Sequence, residues 1–146
     1  MISNTLAQLF RRDLEKLREE VSLYATEGKL WIIENEISNS AGNLSYHITG
    51  NLQYFVGTML GDTDYERDRE FEFKGKVSRD VLLSEIDIAE KIVAKTLTQL
   101  TPEDLEKPYP LKVFGDEMTT EYFLTHLYGH LNYHLGQINY HRRLLG

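Results

Sequence analysis

The chain has 146 residues, of which 41% are hydrophobic and 27% charged, with no cysteine and a formal net charge of −7 at pH 7. The absence of cysteine excludes disulfides, a cysteine nucleophile and thiolate ligands, so a metal would have to be bound by His, Asp, Glu or water. The acidic balance argues against nucleic acid as a partner, because phosphate binding needs a concentrated basic surface.

The size and composition are typical of a soluble globular protein with one domain over residues 1–146, long enough to bury a core. The sequence contains no long uncharged apolar run, so no membrane span is predicted, and the N-terminus lacks the pattern of a secretion signal. Together with the lack of cysteine, these features predict a cytoplasmic protein.

Apolar residues recur at three- and four-residue steps over residues 2–27, which predicts a first amphipathic helix that ends at Gly28. A second helix is expected to begin at Asn39 or Ser40 and to run to about residue 60.

The predicted second helix carries a histidine and several small residues. His47 lies at the border of its apolar face, and Asn51 follows one turn later. Gly42, Gly50 and Gly57 would allow another helix or a ligand to approach closely.

The first long connection is expected over residues 61–77, where Phe71 and Phe73 alternate with charged residues in a strand-like manner. Arg67 and Arg69 could bind a substrate carboxylate or phosphate, because arginine matches such groups bidentately. The favoured interpretation is surface pairing with neighbouring acids. These acids are Asp64, Glu66, Asp68 and Glu70.

Periodicity predicts a third helix over residues 79–99, a second long connection over 100–118 and a fourth helix over 120–145 that begins at Thr119 or Thr120. Four amphipathic helices of about 20 to 26 residues predict an all-α protein that folds as a four-helix bundle.

Four of the five histidines lie on the fourth predicted helix, namely His126, His130, His134 and His141. At 100° per residue they fall within about 80° of one another, beside one edge of the apolar face. We therefore expect these imidazoles to point into or beside the core and away from open water. Packing does not readily explain several buried imidazoles, because each brings a polar N–H that needs a partner.

Histidines four residues apart on a helix can supply two nitrogens to one metal ion. The spacing allows His126/His130 as readily as His130/His134, and His47 is the only histidine outside this helix that could be a third ligand. Three histidines leave coordination positions for water or substrate, as in catalytic sites, and favour Zn²⁺, Ni²⁺ or Fe²⁺ over Mg²⁺ or Ca²⁺.

Two segments in combination resemble the DinB/YfiT-like superfamily of small four-helix bundles. They are S-A-G-N-L-S-Y-H-I-T-G-N-L at 40–52, with its H-x2-G-N motif, and H-L-N-Y-H-L-G-Q-I at 130–138, with H-x3-H-x-G-Q-I. The intervening R-D-R-E-F at 67–71 is similar to an uncharacterised bacterial branch of that superfamily. The resemblance spans essentially the whole chain and implies a DinB-like bundle that is often a homodimer.

The resemblance also implies a metal site with one histidine from the second helix and two from the H-x3-H of the fourth. Matched by motif, the implied ligands are His47, His130 and His134. His126 would then lie beside the ligands or in the pocket, and His141 would serve the fold. The other residues expected around the site are Asn51, Tyr133 and Gln137.

Some members of the superfamily are thiol S-transferases that use low-molecular-weight thiols such as bacillithiol or mycothiol, and others are isomerases or have no known activity. The resemblance therefore implies a metal-dependent, thiol S-transferase-like enzyme that acts on a small molecule. Because the chain has no cysteine, the thiol would belong to the substrate. One alternative is a stress-related bundle that binds metal or ligand without catalysis; another is a bundle whose histidines only form hydrogen bonds in the core.

Overall fold

The computed structural model describes residues 1–146 as an all-α bundle, which confirms the predicted fold class. Six α-helices are present: α1 Ile2–Leu23, α2 Ala41–Leu52, α3 Arg69–Lys74, α4 Arg79–Gln99, α5 Pro102–Glu106 and α6 Thr120–Leu145. A 3₁₀ turn spans Glu27–Trp31, and α2 continues without a break into a π-helical stretch, Gln53–Thr58. No helix combines the length and the apolar run that a membrane span requires.

The four long helices bury a common core. Helix α1 packs against α4 and α6, while α2 packs against α4 and α6 from the other side. Leu14, Leu17, Ile86 and Leu124 are completely buried, and each such side chain contributes about 1.5–3 kcal/mol when it leaves water. The contact between α2 and α6 matters most for function, because it brings the two histidine-bearing helices together.

Side-chain caps fix where three of the four long helices begin. The hydroxyl of Ser40 accepts a hydrogen bond from the backbone amide of Asn43, and the hydroxyl of Thr119 accepts one from the backbone amide of Tyr122. Ser78 caps α4 in the same way. Each cap satisfies an amide that has no partner inside its helix, which is why serine and threonine are favoured there.

The first helix ends earlier than the sequence predicts. Helix α1 stops at Leu23, and Tyr24 leaves it in an extended conformation, while Gly28 lies inside the 3₁₀ turn and is not the stop. The Tyr24 ring is buried and its hydroxyl lies 2.7 Å from Nδ1 of His141. A tertiary contact therefore decides the end of α1.

The strand-like stretch predicted in the first connection is wrong, because residues Arg69–Lys74 form the short helix α3. Asp68 caps α3 by accepting a hydrogen bond from the Phe71 amide. Phe71 contacts Tyr46 edge to face, and Phe73 contacts His47 with ring centroids 4.5 Å apart. The connection therefore forms one side of the histidine-bearing part of α2.

The second helix departs from regular α geometry over Gln53–Thr58, which the sequence does not predict. Within this π-helical stretch, Gly57 lies so close to α4 and the following chain that a Cβ there would be 2.9 Å from both Ile92 Cγ2 and Thr63 Oγ1. The missing side chain lets α2 pack tightly at this point.

Candidate metal centre

Three histidines from two helices converge at the packing contact between α2 and α6. Nε2 of His130 lies 3.1 Å from Nε2 of His47 and 3.1 Å from Nε2 of His134. The three side chains offer ligand atoms that all lie within 4.8 Å of one another. The structure thus brings together the three histidines implied by the resemblance, and His130/His134 is the pair that joins His47.

The outer edge of His47 is held by a completely buried carboxylate, Glu72 of α3. Oε1 of Glu72 lies 3.0 Å from Nδ1 of His47. Arg67 donates to both carboxylate oxygens, with Nε–Oε2 and Nη2–Oε1 distances of 2.9 Å. Glu72 also lies directly against Gly50 of α2, where a Cβ would overlap the carboxylate. A glycine one turn from His47 therefore makes room for this ion pair.

The Glu72–Arg67 pair orients the His47 ring through contacts at Nδ1. Burial alone would raise the pKa of Glu72, but hydrogen bonds from His47 and Arg67 outweigh it and lower the pKa below its usual value. The carboxylate is therefore ionised and accepts a hydrogen bond from His47 Nδ1–H. Nη2 of Arg67 lies 3.2 Å from the same Nδ1, and Nε2 on the other side of the His47 ring faces His130 at 3.1 Å.

His134 is oriented in the same way from α6 itself. Its Nδ1–H donates to Oε1 of Gln137 at 2.8 Å, so in the neutral ring Nε2 presents a lone pair to His130. Burial, with the neighbouring imidazoles, lowers the pKa of His130 to about 3, so this ring is neutral near pH 7. Burial also lowers the pKa of His134, so His130 and His134 are both in the neutral form that binds metals.

The donor set fits a divalent cation. Nε2 of His130 faces two other ring nitrogens, those of His47 and His134, and an imidazole nitrogen carries either one proton or one lone pair. Hydrogen bonding can therefore satisfy only one of the two contacts. A cation bound by all three nitrogens would satisfy both, and imidazole is a good ligand for zinc, nickel and iron.

The remaining predicted site residues surround this group at different depths. Asn51 is buried, and its Oδ1 has no hydrogen-bond partner. Tyr133 is 66% exposed, with its ring centroid 5.3 Å from that of His134. His126 is exposed and lies 6.4 Å from His130 between ring centroids, so the expectation that it points away from open water is wrong. The other side of its ring contacts Phe114.

The two arginines of the first connection differ in their partners. The side chain of Arg67 is only 12% exposed and pairs with Glu72, so the predicted surface pairing is wrong for Arg67. Arg69 lies over the ring of Phe73, 5.4 Å from its centroid, and makes no ion pair. Binding of a substrate anion by these arginines stays a prediction.

Glu72 is the site residue that the sequence reasoning missed. It lies in a segment rich in charged residues, and nothing in its local spacing separates it from Glu70. The available signal was Gly50, whose position one turn from His47 indicates the close approach of another group.

The fold and the site define a class of protein: an all-α bundle with a three-histidine group, contributed by two helices, that could hold a metal ion. A sequence model of the DinB superfamily matches residues 7–138, and the chain therefore belongs to the DinB superfamily.

Comparison with solved structures supports the same fold. The crystal structure of a DinB-like protein from Bacillus cereus ATCC 10987 superposes with a TM-score of 0.72 at 17% sequence identity. The match covers 95% of this chain and 89% of that one. A search of curated proteins found no match.

Proposed function

We propose that this chain is a metal-dependent enzyme in which His47, His130 and His134 bind a divalent transition ion, either zinc or nickel, with iron as the third candidate. The observation that supports this most strongly is the meeting of three Nε2 atoms at 3.1 Å contacts that hydrogen bonding alone cannot satisfy. Membership of the DinB superfamily adds support for a metal-binding role.

We further propose a thiol S-transferase-like reaction on a small molecule, as the resemblance to thiol-transferring members of the superfamily suggests. An ion held by three histidines keeps open positions, where it lowers the pKa of a bound thiol or water and so supplies a nucleophile near neutral pH. The chain itself contains no cysteine, so the thiol would come from a substrate.

The chain's own residues would prepare this site. Glu72, paired with Arg67, holds the His47 ring in one orientation. Gln137 does the same for His134. Such outer partners raise the basicity of a ligating imidazole and limit its motion, and losing one typically weakens metal affinity by about 10- to 100-fold.

Metal binding is tested on protein purified without a polyhistidine tag. We expect about one equivalent of a transition metal per chain and a rise in melting temperature on adding Zn²⁺ or Ni²⁺, because binding to the native state alone stabilises it. His130→Ala should abolish both effects. The matched control is His126→Ala, which removes an exposed histidine of the same helix and should retain them.

Less than about a tenth of an equivalent of metal with unchanged melting would refute the site, since tight ligand binding must shift stability. Stoichiometric binding by His130→Ala would refute the choice of ligands. To separate an enzyme from a non-catalytic binder, conjugation of small thiols to electrophiles is measured with and without metal. A rate no higher than background in the metal-loaded protein would favour the non-catalytic bundle.

A further inference from the structure

A groove with a volume of about 790 Å³ lies directly beside the three-histidine group. It runs between the connection at residues 34–39 and the C-terminal half of α6. This volume is within the range of about 300–1,000 Å³ that is typical of small-molecule sites. His134 is the member of the three-histidine group that lines the groove, so the groove borders the candidate metal centre at this residue.

The wall of the groove formed by α6 carries several large apolar side chains that are exposed. Tyr133, Tyr140 and Leu144 line it and are 66%, 65% and 78% exposed. Ile37 faces them from the 34–39 connection, and Leu44 of α2 also contributes to the lining. Large apolar side chains grouped in a concave surface indicate a site for an apolar partner or ligand.

The charged residues of the groove are all acidic, apart from its two histidines. Glu34 and Glu36 line it, both are exposed, and neither makes an ion pair or a side-chain hydrogen bond. No lysine or arginine contributes to the lining. Of the histidines, His141 has both ring nitrogens bonded, to the Tyr24 hydroxyl and the Ile32 carbonyl.

The acidic residues of the groove favour cationic ligands over anionic ones. Two unpaired carboxylates in a cleft create a negative potential that attracts cations and repels anions. No lysine or arginine lines the groove, and the chain as a whole carries a net charge of −7. The cation at its edge is Arg143, which lies over the Tyr140 ring, 5.3 Å from its centroid. The guanidinium beside the three-histidine group, Arg67, is already bound by Glu72.

We propose that the groove binds an apolar molecule that carries a protonated amine. Its positive charge would lie beside Glu34 and Glu36, and its apolar body against Tyr133, Tyr140 and Leu144. As the substrate of the metal-dependent reaction, which rests on the function proposed above, such a molecule reaches the three-histidine group at His134.

The test uses three probes that share one fluorophore and differ in charge: dansylcadaverine, a cation; dansylamide, which is neutral; and dansylglycine, an anion. Fluorescence titrations of the tag-free chain are made at low and high salt. We expect dansylcadaverine to bind about tenfold more tightly than dansylglycine at low salt, with the difference shrinking as salt screens the carboxylates. Dansylamide should lie between them.

Variants separate the charge from the apolar wall. Glu34→Gln/Glu36→Gln should bring the affinities of the cation and the anion together, whereas Leu144→Ser should weaken all three probes. The matched control is Glu103→Gln/Glu106→Gln, which makes the same change in net charge on the exposed surface of α5 and should preserve the preference for the cation.

Several results would overturn the proposal. Equal binding or no binding of the three probes would do so, as would loss of the preference in the α5 control. A dimer that Leu144→Ser converts to a monomer in light scattering would show that a second copy of the chain covers the groove.

Metal titration on the same samples keeps the two proposals apart. A preference for the cation in a chain that binds no metal would refute the proposed function and leave the groove as a ligand site. Stoichiometric metal binding without the preference would refute only the groove.

Discussion

Replacing Glu72 by glutamine tests how the structure controls the candidate metal centre. Glutamine keeps the shape of the side chain but removes its charge and one of its two acceptor oxygens. Glu72 accepts at Oε1 from His47 and Arg67 and at Oε2 from Arg67. An amide cannot replace all three bonds, so His47 or Arg67 loses a partner.

Glu72→Gln should lower both the stability of the fold and the affinity for metal, by different amounts. Removing one partner of a buried ion pair typically destabilises a protein by about 3–5 kcal/mol. Arg67 is 12% exposed and lies over the Phe55 ring, 5.5 Å from its centroid, so some hydration and packing remain. We therefore expect a loss near the lower limit, about 3 kcal/mol. Metal affinity should fall by about 10- to 100-fold, or about 1.4–2.8 kcal/mol, because His47 loses the acceptor that fixes its ring.

The change in stability and the change in metal affinity can both be measured on the same variant. Urea unfolding of metal-free samples gives the change in stability, and competition with a chelating indicator gives the dissociation constant for Zn²⁺. The matched control is Glu20→Gln, which breaks the half-buried Glu20–Arg142 pair between α1 and α6. It should lower stability and leave Zn²⁺ affinity unchanged.

A Glu72→Gln variant that loses stability yet binds Zn²⁺ within about twofold of the original chain would refute this role of Glu72, because the change is below the usual effect of an outer partner. Glu72 would then only anchor α3. Gly50→Ala gives an independent check, because the added Cβ displaces the same carboxylate without altering any charge. It should weaken Zn²⁺ binding in the same direction.

Three further predictions concern the rest of the fold. Burial alone would raise the pKa of Asp13, but hydrogen bonds from Arg12 and Tyr128 help to lower it to about 2. The stability that ionised Asp13 adds to the fold should therefore be present above about pH 4 and be lost as the pH falls towards 2. In urea unfolding, the free energies of unfolding of Asp13→Asn and of the original chain should converge over that range. His141→Ala, which leaves the buried Tyr24 hydroxyl without its imidazole partner, should lower stability by about 1–3 kcal/mol without changing metal stoichiometry. Light scattering should give about twice the chain mass of 17.0 kDa, and a monomeric mass would refute the expected homodimer.

Local sequence signals located most of the bundle. The predicted third and fourth helices agree with α4 and α6, because Ser78 and Thr119 cap their starts and Pro102 follows the end of α4. The end of α1 could not be predicted in this way. It depends on a hydrogen bond between Tyr24 and His141, which are far apart in the sequence.

The candidate site, too, could be predicted only in part from local sequence signals. Helical periodicity places several histidines on one side of α6, but it does not predict how deeply each of them is buried. His130 is half-buried at the edge of the core, so His126, rotated by about 40° to the side away from His134, is already in solvent. Glu72 escaped prediction because its burial and its partners exist only once α3 packs against α2.

The π-helical stretch at Gln53–Thr58 has a consequence for the history of α2. A helix that pairs each carbonyl with the amide five residues ahead takes up one additional residue locally, so the segments on either side keep their original register. Deleting one residue from this stretch should therefore be better tolerated than a deletion within α4 or α6. In an alignment of related chains, we expect a single-residue gap to fall here, marking where an ancestral α-helix gained a residue.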